Sequence, residues 1–244
     1  NISNAAGGIT LSNTVTANGS GSVTLLATAG LLTVNQLVSS TTGNLSLTGG
    51  TGVTHGVNGD LTTTGAGTIG VTATLNDVTM ADGTVYSADS GTVTVLAAGN
   101  VLLGQITTTS SAVNVTATAG AITDNTVAET ANITGGVLTL TAATGVGATG
   151  GALDIETDAT QLDLTTTTGG IFVTDLGAVQ LGNGTGGVNT ITSGNIEIVA
   201  ANTITTGGAI STGGGNGTIN ISNAAGGITL SNTVTANGSG SVTL

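Results

Sequence analysis

Apolar residues recur at every second position in short segments along the whole chain. The clearest form is a five-residue motif: a small residue, any residue, an apolar residue, any residue and a second apolar residue. In the first copy, GSVTL, Val23 and Leu25 fall on one side and Ser22 and Thr24 on the other, as in a β-strand with one buried face. The motif begins at Gly21, Gly43, Gly67, Gly91, Ser111, Gly136, Thr160, Gly194, Gly217 and Gly240.

The spacing of these motifs predicts stacked coils. Consecutive motifs begin roughly 20–25 residues apart, which is a typical length for one unit of a repeat architecture. The interval between Thr160 and Gly194 is longer than all the others. Breaks that contain glycine fall every ~6–10 residues, and no segment has a helical apolar period. Two or three short strands per unit predict an all-β parallel β-helix (β-solenoid) of about 9–11 coils, each of about 20–25 residues.

A meandering antiparallel barrel or sandwich is the competing arrangement. The solenoid is favoured because in-register stacking places like residues on like residues in consecutive units. Nine coils at the strand spacing of ~4.8 Å would make a rod roughly 43 Å long. The register stays open between residues 136 and 194, where GALDI at Gly151 and GAVQL at Gly177 also fit the motif. An extra short coil or a protruding loop would explain the long interval.

The stretch that opens the chain returns without change at its end. The segment from Asn1 to Leu25 is identical to the segment from Asn220 to Leu244. This identity is typical of a tandem array, so we divide the chain into one long period, residues 1–219, and the start of the next, residues 220–244. The repeated stretch is uncharged and has no segment that would block stacking. We therefore expect no end caps and no hinge near Asn220.

Composition removes several classes of function. The chain has no Lys, Arg, Cys or Pro, and its formal charge is −12. Without cations it cannot neutralise phosphates, so we expect no nucleic-acid partner and no phosphate-binding loop that depends on lysine. Thiolate metal sites and disulfides are excluded for lack of cysteine. No apolar run approaches the ~20 residues that a transmembrane helix needs, so we expect no membrane insertion.

Units such as GSVTLLATAGLLTVNQL and SAVNVTATAGAIT resemble the coils of filamentous-haemagglutinin-like exoproteins and giant bacterial surface adhesins. The resemblance implies a right-handed β-helix that is exported to the cell surface or the extracellular space. It extends over the whole chain but carries no catalytic motif that could be transferred to numbered positions.

The acidic residues are the main candidates for chemistry. In GALDIETDATQLDL, alternation places Leu153, Ile155, Leu162 and Leu164 inward, so we expect Asp154, Glu156 and Asp163 to point outward. Carboxylates on neighbouring coils suit Ca²⁺, which prefers several oxygen ligands. A glycosidase pair and a solvated acidic stripe are the alternatives, and the stripe is the favoured interpretation. No other cofactor is expected.

The remaining polar positions offer little chemistry. His55 is the only histidine, and its setting, GVTHGVNGD, favours a turn residue over a catalytic base. We interpret Tyr86, Phe172 and Met80 as local core or surface fillers. The outward middle position of the motif predicts a single polar row that is too mixed for an ice-binding lattice: Thr24, Ser46, Gly70, Thr94, Asn114, Thr139, Asp163, Glu197 and Asn220.

Together these features predict a non-catalytic structural repeat that forms the shaft of a giant extracellular filament or surface adhesin. Its partners would be neighbouring identical repeats end to end, with lateral self-association or contacts to surfaces and glycans as additions. Two alternatives stay open. One is an adhesin whose lateral face binds a glycan or a host receptor, and the other is a cation-dependent biofilm or matrix fibre.

Overall fold

The computed structural model describes residues 1–244 and consists of strands, turns and loops. The chain contains no helix that is long and apolar enough to cross a membrane. The strands are β1 (Ile2–Asn4), β2 (Ile9–Leu11), β3 (Val15–Ala17), β4 (Val23–Ala27), β5 (Leu31–Val34), β6 (Val38–Ser40), β7 (Leu45–Gly49), β8 (Gly52–His55), β9 (Leu61–Thr63), β10 (Ile69–Ala73), β11 (Val78–Met80), β12 (Val85–Ala88), β13 (Val93–Ala97), β14 (Val101–Leu103), β15 (Gln105–Thr108), β16 (Val113–Ala117), β17 (Ala121–Asp124), β18 (Ile133–Ala142), β19 (Gly145–Val146), β20 (Ile155–Thr166), β21 (Ile171–Asp175), β22 (Val179–Leu181), β23 (Val188–Thr190), β24 (Ile196–Ala200), β25 (Ile204–Thr206), β26 (Ile210–Ser211), β27 (Ile219–Asn223), β28 (Ile228–Thr229), β29 (Val234–Thr235) and β30 (Val242–Thr243).

All strand pairs are parallel, and they form three long ladders that we call the first, second and third faces. The first face stacks β1, β4, β7, β10, β13, β16, β18, β20, β23, β26 and β29. The second stacks β2, β5, β8, β11, β14, β17, β19, β21, β24, β27 and β30. The third stacks β3, β6, β9, β12, β15, β18, β20, β22, β25 and β28.

The predicted solenoid is confirmed, and the antiparallel alternative is wrong. Each turn visits the three faces once. The two longest strands pass round corners: β18 belongs to two faces, and β20 pairs with strands of all three. The ladders amount to about ten turns, within the predicted range of 9–11. Inward residues from successive turns form one core cluster of 49 buried residues along the axis.

Like residues lie on like residues, as the motif predicted. Val23 pairs with Leu45, and Leu45 pairs with Ile69. The predicted outward row is also in register on the first face, but only through its first seven members: Thr24, Ser46, Gly70, Thr94, Asn114, Thr139 and Asp163. Its last two members were assigned wrongly, because Glu197 pairs with Phe172 and Asn220 on the second face.

The row moves from the first face to the second because the interval between Thr160 and Gly194 contains one more strand than an ordinary turn. The motif is transferred to the second face near Gly169. The segment GGIFV, which begins nine residues after TQLDL, also fits the motif, and it forms β21 on the second face. From there the motif continues on that face, with Ile171 over Ile196 and Ile196 over Ile219. The long interval therefore holds one ordinary turn plus one additional strand position. An exposed loop, residues 147–154, lies in the same region.

The repeated stretch consequently returns a third of a turn further round. Its first strand, β27, contains the sequence of β1 (ISN) but is the tenth strand of the second face, whereas β1 opens the first face. In the same way β28 lies on the third face and β29 on the first. One long period, residues 1–219, thus spans nine turns and one face. The ladder is continuous at Asn220, because all five residues of β27 pair with β24.

Buried hydroxyl groups close a corner in about half of the turns, a feature that the apolar pattern did not reveal. Thr63 donates a hydrogen bond to the carbonyl oxygen of Gly67 at 2.8 Å, and Thr108 donates to Ser111 at 3.0 Å. These side chains are buried, but their hydroxyl groups are satisfied, because each hydrogen bond pairs the hydroxyl with the carbonyl oxygen of a turn. Equivalent donors elsewhere are Thr166, Thr190 and Thr212, whereas Ser40 donates to the carbonyl oxygen of Gly21 in the turn below.

Candidate acidic site

Two of the three predicted outward acids are buried. Asp154 is 8% exposed and Glu156 is 3% exposed, whereas Leu153, expected in the core, is 55% exposed. Asp154 and Leu153 precede β20, so strand alternation does not govern them. Glu156 does alternate with inward Ile155 and Thr157, but neighbouring loops cover its outer side. The prediction that these two carboxylates face solvent was therefore wrong.

The buried acids meet a third acid, Glu129, which was not among the candidates from the sequence. Glu129 lies on the loop of residues 125–132, Asp154 ends the loop of residues 147–154, and Glu156 is the second residue of β20. One carboxylate oxygen from each lies within 4.8 Å of the other two. The loops lie side by side because the strands that flank them, β17 with β19 and β18 with β20, pair directly. We call Glu129, Asp154 and Glu156 the acidic cluster.

A network of hydrogen bonds fixes the first loop against β20. Asp124 Oδ1 accepts bonds from the backbone and hydroxyl of Thr126 at 2.8 and 2.9 Å and from Asn132 Nδ2 at 2.7 Å. Buried Asn132 in turn bonds to the backbone of Glu156 in both directions, accepting at Oδ1 (2.9 Å) and donating from its N–H (2.8 Å). The loop that carries Glu129 is thus held at both ends.

The cluster contains two buried oxygen atoms without a hydrogen-bond partner. Asp154 accepts a bond from the Thr174 hydroxyl at Oδ2, but its Oδ1 has no partner, and neither has Glu156 Oε2. Burial and the nearby charge of Asp154 raise the pKa of Glu156 from 4.5 to about 8, with smaller contributions from Asp124 and Glu129 against an opposing backbone hydrogen bond. At neutral pH this site therefore favours a bound positive charge or a proton.

Asp175 shows what a purely structural buried carboxylate looks like in this fold. It is completely buried, and burial raises its pKa. Its two oxygens nevertheless accept bonds from the Thr157 hydroxyl at 2.7 Å and from the backbone N–H groups of Gly177 and Ala159 at 2.9 and 3.1 Å. Donors within the protein satisfy both oxygens of Asp175. In the acidic cluster, by contrast, one oxygen of Asp154 and one of Glu156 have no hydrogen-bond partner.

Asp163, the third predicted ligand, is not part of the acidic cluster. It lies seven residues beyond Glu156 on the first face, where Gln161 and Asn183 donate hydrogen bonds to its Oδ2 at 2.8 and 2.9 Å. Burial raises its pKa, and the bond from Gln161 opposes the rise. The grouping of Asp163 with Asp154 and Glu156 was wrong because β20 turns a corner between them.

His55 is a core residue at the end of β8, so its assignment to a turn was wrong. Its side chain is 1% exposed, and its ring meets that of Tyr86 edge-on with the centroids 5.0 Å apart. Nδ1 bonds to the carbonyl oxygen of Gly59 at 2.6 Å, and Nε2 has no partner. No hydroxyl group is hydrogen-bonded to the ring, so the arrangement of a catalytic triad is absent.

We expect His55 to make the fold sensitive to acid. Burial lowers its pKa from 6.5 to about 4, against the opposing bond to Gly59. Its neutral form therefore stabilises the folded state fully above about pH 6.5, and this stabilisation is lost as the pH falls towards 4, because the unfolded chain takes up the proton first. The slope approaches ~1.4 kcal/mol per pH unit at most.

The comparison with His55→Asn isolates this effect, since the asparagine amide can still donate to Gly59 and does not titrate. The free energy of unfolding of both proteins is measured by urea denaturation from pH 7.5 to pH 4. The wild type should lose stability relative to the variant across this range. Carboxylates with raised pKa values act in the opposite direction but cancel in the difference. A constant difference would contradict the prediction.

Comparison of the chain with protein-family models, with curated proteins and with solved structures finds no match.

Proposed function

We propose that this chain is a structural repeat that forms the shaft of an extracellular or cell-surface filament and has no catalytic activity. The observation that carries the proposal is the return of the repeated stretch into the same ladders. β27 pairs with β24 over five consecutive residues, from Ile219 to Asn223, across the start of the second copy. A further period stacked in this way would lengthen the rod without a change of architecture.

The arrangement of the bonds suits a mechanical role. Of the 147 backbone hydrogen bonds, those of the ladders run from one turn to the next, approximately along the rod axis. Parallel ladders on three faces share an axial load, and the continuous core keeps the faces together. The net charge of −12 makes neighbouring rods repel, which limits lateral clumping.

The proposal predicts how length grows with copy number. A chain of three copies of residues 1–219 followed by residues 220–244 should form one unbroken rod. Each period should add roughly 45 Å, from nine and one-third turns at ~4.8 Å. Electron microscopy of chains with one, two and three periods measures the increment. Beads joined by flexible links, or lengths that do not grow in proportion, would contradict the shaft.

A further inference from the structure

We propose that the acidic cluster binds one Ca²⁺ ion, which joins two consecutive turns of the solenoid. Glu129 comes from one turn, and Asp154 and Glu156 come from the next. The site differs from the set suggested by sequence alone, because it includes Glu129 and excludes Asp163. The inference does not depend on the array that we propose above.

The separation of the carboxylates suits this ion. The three ligand oxygens all lie within 4.8 Å of one another. Two oxygens bound to one Ca²⁺ ion at ~2.4 Å can be at most ~4.8 Å apart, so the separations are compatible with a single ion shared by all three acids. Mg²⁺ gives up its water molecules reluctantly and is usually bound through one or two carboxylates, so a site with three protein carboxylates suits Ca²⁺ better.

The unpartnered oxygens indicate that the ligand comes from outside the chain. Asp154 and Glu156 are each more than nine-tenths buried, and each has a carboxylate oxygen that no donor reaches. Buried carboxylates are normally paired, hydrogen-bonded or bound to a metal. This chain has no Lys or Arg that could pair with them. Donors of the kind that satisfy Asp175 are also absent for these two oxygens.

The surroundings leave room for the rest of a coordination shell. All three side-chain ligands are carboxylates, which favours a hard cation over zinc or copper. Of the three acids, Asp154 alone lines a cavity of about 110 Å³, with Thr174 and Glu197, and this space can hold several water molecules beside that carboxylate. Glu129 is exposed, so the ion has a path from solvent. Water and the second oxygens of the carboxylates would bring the shell to the six to eight ligands that Ca²⁺ prefers.

Binding should stabilise the fold locally, because the ion would tie the loop of residues 125–132 to the loop of residues 147–154. The two loops contribute no strand pairing to each other, and carboxylates of like charge meet where they approach. A divalent cation reverses that repulsion. It also adds stability that grows with the concentration of free Ca²⁺.

Calorimetric titration of the 244-residue chain, stripped with EDTA and kept at pH 7.5 in 150 mM NaCl, tests the proposal. We expect one Ca²⁺ per chain with a Kd of about 10⁻⁵ to 10⁻³ M, the range of solvent-accessible sites. Both Glu156→Gln and Glu129→Gln should weaken binding at least about tenfold. Glu129 is exposed on a loop, so its variant folds whether or not the buried one does. Asp163→Asn, an acid on the same strand outside the cluster, is the matched control and should keep the affinity.

Three results would overturn the proposal. The first is the absence of both binding heat and a shift in melting temperature at 10 mM CaCl₂. The second is weak binding that falls equally in Asp163→Asn and in the cluster variants, which would indicate a diffuse acidic surface. The third is Mg²⁺ binding as tight as that of Ca²⁺, which would contradict the fit to the larger ion.

Discussion

Replacing Gly67 by alanine is expected to destabilise the protein by about 3 kcal/mol, whereas Gly70→Ala in the same motif should change stability by less than about 1 kcal/mol. Both substitutions add one methyl group to the segment GTIGV. A Cβ at residue 67 would lie 2.3 Å from the carbonyl oxygen of Gly43, one turn below. At residue 70 the nearest atom outside the adjoining residues, the carbonyl oxygen of Leu45, is 3.9 Å away, an ordinary contact.

The close approach at Gly67 belongs to a row of glycines at one corner of the solenoid. A Cβ on Gly43 would meet the oxygen of Gly21 at 2.0 Å, and one on Gly91 would meet the oxygen of Gly67 at 1.9 Å. The obstacle at each step is backbone just before a ladder strand, so it cannot rotate away as a side chain would. The glycine that begins these three motifs is therefore required by the stacking of one turn on the next.

Urea denaturation of the wild type and the two variants measures this effect, followed by far-ultraviolet circular dichroism. A much lower midpoint for Gly67→Ala with little change for Gly70→Ala is the expected result. Equal midpoints for the two variants would show that the corner can widen, and the steric explanation would then be wrong. Gly70 lies on the outer side of the strand, so the pair also separates crowding from a general effect of removing glycine.

The sequence was sufficient for the architecture because the same rule applies on every turn. Alternation places Val23 and Leu25 inward, and repetition at nearly constant spacing places Leu45 and Leu47 above them. Neither step needs information about distant parts of the chain. The hydrophobic pattern also gave the number of turns, since each motif marks one pass round the axis.

The rotation of a third of a turn between one period and the next could not be predicted from the apolar pattern, because the motif has the same form on each face. Its appearance as GGIFV shortly after TQLDL was the available signal, and it marks a strand on a different face. If periods continue as we propose, the acidic cluster would recur a third of a turn round with every period. Cation sites would then follow a shallow spiral along the shaft and would not form a single line.

The candidate site was only partly predictable for a related reason. Alternation describes a residue's side of its own strand and does not reveal which loops cover that side, so Glu156 was expected in solvent. His55 was misassigned because its neighbours are typical of a turn. Its partners in the ladder, Val34 and Met80, show that it occupies an inward position. An alignment of successive turns would have placed it in the core.

Tyr86→Ala is expected to destabilise the protein by about 4 kcal/mol, near the middle of the range for loss of a buried aromatic ring. Tyr86 is the largest fully buried side chain, and it pairs with Leu61 below and Ile106 above on the third face. Its ring also packs edge-on against His55. The narrow core has no second layer that could collapse into the space, because backbone ladders surround it on three faces.

Tyr86→Phe separates the ring from its hydroxyl group. The hydroxyl oxygen is buried and has no hydrogen-bond partner, and burial raises the pKa of Tyr86 well above 10.0. Removing an unsatisfied polar atom while keeping the ring should stabilise the fold by about 1 kcal/mol. Urea midpoints of the wild type and both variants test the pair, with a gain for phenylalanine and a large loss for alanine as the expected order. A loss of about 1 kcal/mol or more in Tyr86→Phe would mean that the hydroxyl group is satisfied within the core, and packing of the ring would then explain only part of the effect of alanine.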